Sequence, residues 1–173
     1  MDLIAASGDK LLGGPQCGIL VGRKDLIERI RKNPLLRAFR VDKLTYAALE
    51  ATLTEHLSDD ATTIPIERML SILPEELMSR CRQIVGPVAC PDLVVDVVPV
   101  ASLIGGGTAP RASLESCAIS ARHVSLTAAE LLAALRKLEP PIIGRIADDS
   151  VLLDLRTVPP EFDVDLASLL SSL

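Results

Sequence analysis

The chain has 173 residues, enough for one ordinary domain or for a small domain joined to a piece of another. It is 49% hydrophobic and 24% charged, which excludes a disordered chain; with no Trp, one Tyr and two Phe, its core must be built from Leu, Ile, Val and Ala. The net charge of −5 disfavours a polyanion surface and the scarcity of aromatics argues against stacking platforms, so any nucleic-acid contact falls to a local patch or to another part of a longer protein.

In chain order, Asp2 to Ser7 reads as a short strand, followed by the Gly-rich stretch Gly8 to Gly18 and a second strand at Ile19 to Val21. The first strand is expected to be buried, and because nothing precedes it, a truncated sheet is expected too. Lys24 to Lys32 has helical spacing, with Leu26, Ile27 and Ile30 on one face, and Asn33-Pro34 ends it. Leu35 to Arg40 reads as an irregular connector. Val41 to His56 is a helix, with Val41, Leu44, Ala48 and Ala51 on its apolar side and Asp42 in its first turn, where the helix dipole favours an acid.

The polar stretch Ser58 to Thr63 is a natural boundary and divides the chain into residues 1–60 and 61–173. Ile66 to Ile72 is a short helix, and Pro74 opens another whose apolar face carries Leu77, Cys81, Ile84 and Val85. From Leu93 the period changes. Leu93 to Val100 and Ser116 to Ala121 are strands, and Thr127 to Leu138 is a helix with a capping-box pattern at Thr127 and Glu130. Ile142 to Ile146 and Val151 to Leu155 form two strands turning at Asp148-Asp149, and Phe162 to Leu173 closes the chain as a helix. This order predicts an α+β sandwich: one antiparallel sheet with helices on one face.

No stretch reaches the roughly 18 apolar residues of a membrane span, and Met1 to Lys10 lacks the pattern of a secretory signal. Cys17, Cys81, Cys90 and Cys117 have no CxxC spacing, which favours reduced thiols in a cytoplasmic protein over disulfides or zinc. His56 and His123 sit in no metal motif. Gly105-Gly106-Gly107-Thr108 lacks the Lys-Ser/Thr ending of a phosphate-binding P-loop and reads as a strand connection. Asp148-Asp149 reads as a turn, not a metal site.

The segment Ser7-Gly8-Asp9-Lys10-Leu11-Leu12-Gly13-Gly14-Pro15-Gln16-Cys17-Gly18 is the informative one. A lysine at a strand end among small residues suits Schiff-base chemistry, since partial burial favours a neutral, nucleophilic amine and glycines admit a flat ring and its phosphate. Ser7 could donate a hydrogen bond to that phosphate. Spacing alone does not separate this reading from a solvated lysine beside a hairpin turn. Arg37 and Arg40, three apart beside a helix start, can face one pocket and suit a phosphate-like anion, or can be solvated.

The same segment resembles the cofactor-lysine motif of the bacterial selenocysteine synthases, the L-seryl-tRNA(Sec) selenium transferases. The similarity continues through Arg37-Ala38-Phe39-Arg40-Val41-Asp42-Lys43-Leu44-Thr45 and Ala47 to Leu53, resumes at Ile64-Pro65 and Met69-Leu70, and weakens after about Pro91. Cys17 stands where a small residue such as Ala is expected.

The resemblance implies a fold type I PLP-dependent transferase of α/β class. Residues 1–60 would be the end of its large parallel-sheet domain and residues 61–173 its small C-terminal α+β domain. Lys10 would be the attachment point of pyridoxal 5′-phosphate and the general base at the seryl Cα, Ser7 a cofactor contact, and Arg37 and Arg40 the holders of selenophosphate. The reaction implied is conversion of seryl-tRNA(Sec) to selenocysteinyl-tRNA(Sec) through an aminoacrylate, by a cytoplasmic homo-oligomer built from dimers. The tRNA contacts, the acid facing the pyridinium nitrogen and most of the phosphate cup would lie outside this chain, which alone would be inactive. Two other readings are a PLP lyase acting on a small amino acid or amino sugar without tRNA, and a non-catalytic remnant or assembly module.

Overall fold

The computed structural model describes residues 1–58, 63–105, 108–109 and 111–173, so part of the Gly105–Thr108 connection lies outside the described residues. They divide into two compact units, Met1–Ser71 and Ile72–Leu173.

In the first unit, strands β1 (Leu3–Ser7) and β2 (Gly18–Gly22) pair antiparallel, with Leu3 opposite Gly22 and Ser7 opposite Gly18. Helix α1 (Lys24–Arg31) follows, then α2 (Leu35–Ala38), α3 (Lys43–Leu57) and α4 (Pro65–Ser71).

Several expectations need correction here. β1 is exposed along its whole length, because β2 is its sole sheet partner among the described residues and no layer of this unit covers it. Leu35 to Ala38 is a helical turn and not an irregular connector, because the Asn33 side chain accepts from Leu35 N (2.9 Å) and satisfies a first-turn donor. Asp42 is the N-cap of α3 and not a first-turn residue; its carboxylate accepts from Thr45 N at 2.8 Å. The α3 side predicted to be buried is largely exposed at Leu44, Ala48 and Ala51, and the half-buried stripe instead runs Val41, Thr45, Leu49, Thr52, His56. The helix α4 also belongs to the first unit, so the division falls later than the 60/61 boundary. Ile64 and Ile66 explain this: they crowd Gly13, where a Cβ would lie 2.6 and 2.9 Å from their methyl groups.

The second unit follows the predicted α+β plan. Its elements are α5 (Pro74–Val85), β3 (Leu93–Leu103), β4 (Ser113–His123), α6 (Ala128–Leu135), β5 (Arg145–Ala147), β6 (Ser150–Asp154) and α7 (Asp163–Ser171). The sheet is antiparallel in the order β3-β4-β6-β5. Alternate residues Cys117, Ile119, Ala121, Val151 and Leu153 face a core shared with Leu77, Cys81 and Ile84 of α5, Leu131 and Leu135 of α6, and Leu166 and Leu170 of α7. Each fully buried leucine there contributes about 1.5–3 kcal/mol of hydrophobic stabilisation.

Local chemistry sets the element ends in this unit. Thr127 and Glu130 form a reciprocal capping box at α6. Asp148 and Asp149 take the positive φ values (48° and 55°) that a two-residue hairpin between β5 and β6 requires. The side chain of the buried Arg156 donates to Ile72 O (2.9 Å) and Glu115 O (2.7 Å), fastening the start of this unit to the first residues of β4.

Candidate functional site

The loop from β1 to β2 that carries Lys10 is held by backbone hydrogen bonds. Gly8 N donates to Cys17 O (2.9 Å), one step beyond the Ser7–Gly18 pair, and Gly14 N donates to Gly8 O (2.8 Å). Gly13 N donates to Lys10 O (2.9 Å), closing a tight turn over Lys10 at φ +70° for Gly13. Gly8 permits the close approach of Cys17: a Cβ there would sit 2.6 Å from the thiol. The departure at Cys17 is thus accommodated by packing against Gly8. His56 of α3 donates from Nε2 to Leu12 O at 2.9 Å and anchors the loop from the far side.

Lys10 projects from this fixed backbone with its side chain 49% exposed, and its Nζ lies 3.8 Å from the Asp9 carboxylate. The partial burial expected of the amine is therefore modest, for the same reason that β1 is uncovered. Ser7 donates its hydroxyl to Asp9. That hydrogen bond is the main cause of an Asp9 carboxyl held below the usual carboxylate value, with Lys10 adding a smaller contribution. Asp9 joins Ser7 to Lys10, and the Ser-x-Asp spacing is what lets side chain meet side chain across the turn.

Arg37 and Arg40 lie beside the same concavity. Both line a cleft of about 700 Å³ bounded by β2, the end of α1, α2 and the start of α3. Arg31 and Lys32 line it too, as do Phe39 and Tyr46, and no acidic residue does. None of the four cations is ion-paired among the described residues. Four cations and no acid therefore line one concavity of a chain whose net charge is −5, an arrangement that suits an anion. Ser7 and Lys10 are not among the residues lining this cleft. The candidate site therefore has two parts: the Ser7–Asp9–Lys10 turn and the cationic cleft.

Among the described residues, no cluster of His, Cys, Asp or Glu is placed to hold a metal ion, and no helix is long and apolar enough to cross a membrane. The second unit has an apolar cleft of about 330 Å³ between Pro140–Ile143 and α7, whose polar side chains are Asp154, Thr157 and Asp165.

Residues 1–159 match the protein family described as L-seryl-tRNA selenium transferase. Similar proteins named L-seryl-tRNA(Sec) selenium transferase include one from Hyphomonas neptunium, 44% identical over 161 residues, covering 91% of this chain and 35% of the relative. One from Aquifex aeolicus is 41% identical over 174 residues, covering 100% of this chain and 38% of the relative. One from Moorella thermoacetica is 42% identical over 172 residues, covering 96% and 37%. The chain thus spans little more than a third of the length of the curated relatives it matches. With the family match extending over 159 of 173 residues, the chain belongs to the L-seryl-tRNA selenium transferase family.

Proposed function

We propose that this chain is the cofactor-lysine part of a PLP-dependent enzyme that converts seryl-tRNA(Sec) to selenocysteinyl-tRNA(Sec) with selenophosphate. Its activity would be exercised together with the remainder of a longer protein, as a cytoplasmic homo-oligomer. In this reading the first unit is the end of a fold type I large domain and the second is the small C-terminal domain. The observation that carries the proposal is the identity of 41–44% with proteins of that name along 91–100% of this chain.

The residues present suit covalent attachment of pyridoxal 5′-phosphate. Lys10 offers a reachable amine on a backbone pinned by Gly13, and His56 fixes the neighbouring Leu12 carbonyl. When bound, the cofactor would store the electron pair released at the seryl Cα. Lys10 would be the residue that removes the seryl Cα proton. Asp9 would keep a negative charge 3.8 Å from the Lys10 amine. Ser7 can serve the cofactor phosphate only after turning its hydroxyl away from Asp9. Arg37 and Arg40 would hold the selenium-donor anion by charge-assisted hydrogen bonds.

A chimera tests this. The 174-residue alignment with the Aquifex aeolicus protein covers all of this chain, so the chain can replace the matching segment of that relative. The chimera is expected to turn over seryl-tRNA, and Lys10→Ala in it to abolish turnover and borohydride-stable pyridoxyl labelling at that position. An active Lys10→Ala chimera would overturn the proposal.

A further inference from the structure

The turn that carries Lys10 is gripped from two sides. Across it, Gly13 N donates to Lys10 O at 2.9 Å. On its outer side, Leu12 O accepts from Nε2 of His56, at 2.9 Å and 44 residues along the chain. A carbonyl oxygen only accepts, so this ring nitrogen carries a proton. The two hydrogen bonds share one peptide unit. Leu12 C=O and Gly13 N–H are its two polar ends, and in a planar trans peptide they point in opposite directions. A tilt of that plane that serves one bond therefore serves the other, and each bond polarises the peptide in favour of its partner. Packing holds the same loop without directing it. A Cβ on Gly13 would meet Ile64 at 2.6 Å, and one on Gly14 would meet Thr52 Oγ1 at 3.3 Å. His56 lies on the half-buried stripe of α3 with Leu49 and Thr52, so its ring projects from regular structure.

We infer that His56 is a positioning residue for Lys10: by holding the carbonyl end of the Leu12–Gly13 peptide, it aims the N–H end at the Lys10 carbonyl. His56 touches neither the lysine side chain nor any reacting atom; it acts through one peptide plane. This deepens the proposed function and rests on it for the role of the lysine. A ring of similar size without a donor would fill the same space but leave Leu12 O to turn toward water, taking Gly13 N–H away from Lys10 O. The amine stands at the end of a four-carbon stem, so a loosened backbone is magnified there, and a misplacement of about 1 Å can cost about 100-fold in rate.

The first measurements use the 173-residue chain without PLP, so they do not depend on turnover. The chain has two histidines, and His123→Gln assigns their nitrogen-15 NMR signals. His56 is expected to carry its proton on Nε2 at pH 8, with Nδ1 bare. His56→Phe, which keeps a ring but has no donor, should speed exchange of the Gly13 amide by about 3- to 10-fold, the net worth of one hydrogen bond. The amides of the β1–β2 ladder should exchange as in the wild type. His56→Gln, whose amide nitrogen can take the place of Nε2, should restore slow exchange, so a folding defect is distinguished from loss of the donor. In the chimera, His56→Phe should lower kcat by about 10- to 100-fold with KM for seryl-tRNA unchanged, and His56→Gln should recover most of it. A bare Nε2, wild-type Gly13 exchange in His56→Phe, exchange raised equally through the ladder, or a glutamine variant no better than phenylalanine would overturn the inference. So would full kcat in the His56→Phe chimera. A wild-type chimera without turnover would instead overturn the reaction on which the inference rests, and the two failures are thereby told apart.

Discussion

Ser7 and Asp9 are hydrogen-bonded to each other across the turn that presents Lys10, so the Ser7 hydroxyl is already engaged by a carboxylate. Ser7→Ala should move the Asp9 carboxyl back up toward its usual value of 3.8, readable by carbon-13 NMR titration. Because folding depresses this carboxyl, any stability it contributes is present above the unfolded value and is lost as pH falls through the folded value. The wild type and Ser7→Ala should therefore differ in stability above about pH 4 and converge in stronger acid. An unchanged Asp9 titration in Ser7→Ala would show that the hydrogen bond is not what holds the carboxyl down.

In the chimeric enzyme, Arg37→Ala and Arg40→Ala should each lower kcat/KM for selenophosphate by about 10- to 100-fold, the loss expected for one charge-assisted hydrogen bond. Arg37→Lys should recover only part of this, because a point charge cannot reproduce the planar fork of a guanidinium. Steady-state kinetics with varied selenophosphate decide the matter. A defect confined to KM for seryl-tRNA would reassign both arginines to the RNA.

In the second unit, Arg80 of α5 reaches Asp163 at the start of α7 through two hydrogen bonds and also donates to Leu155 O at 3.0 Å. The two side chains are 14% and 23% exposed, so the pair is shielded without being fully desolvated. Asp163→Ala should cost about 2 kcal/mol, below the 3–5 kcal/mol of a fully buried broken pair. The urea midpoint of unfolding measures this.

At α6, Glu130 is held below its usual 4.5, chiefly by the Thr127 backbone N–H and then by its hydroxyl. This contribution is present above the unfolded value and disappears as pH falls through the folded one. Glu130→Gln should therefore have a shallower acid limb in a plot of Tm against pH, and Thr127→Ala should cost about 1 kcal/mol at neutral pH. Parallel acid limbs for wild type and Glu130→Gln would refute the assignment.

Burial pushes the Cys81 thiol up to about 12, with the neighbouring Cys117 adding to the effect. Since the thiolate is the reactive form, Cys81 should resist iodoacetamide in the folded chain at pH 8 and react only on unfolding. Peptide mapping after a timed pulse gives the answer, with the more exposed Cys90 as internal comparison.

The features legible in the sequence were those set by local chemistry. Pro74 opening α5, the Thr127–Glu130 box and the Asp148-Asp149 turn each depend on a few adjacent residues, and each took the form their chemistry predicts. Arg37 lies in α2 and Arg40 just beyond its end, so their shared cleft depends on how the chain turns between α2 and α3 and not on helical spacing alone. What was not legible depended on segments distant in sequence. The apolar side of α3 was read from periodicity, but which stripe is covered is decided by the β1–β2 loop, through His56 and Thr52, and not by α3 itself. Arg31, Lys32, Phe39 and Tyr46 belong to different elements, and only the folding of the unit gathers them around one cleft.

The β1–β2 pair has a consequence for handling the molecule. Among the described residues the ribbon has two open edges and no interior strand, so both of its rows of outward N–H and C=O groups can accept another strand. Leu3, Ile4, Leu20 and Val21 are exposed along it, which makes any such strand addition apolar as well as hydrogen-bonded. In isolation this chain should self-associate through that ribbon at high concentration. Lysine substitutions at Ile4 and Val21 should keep it dispersed without touching Lys10.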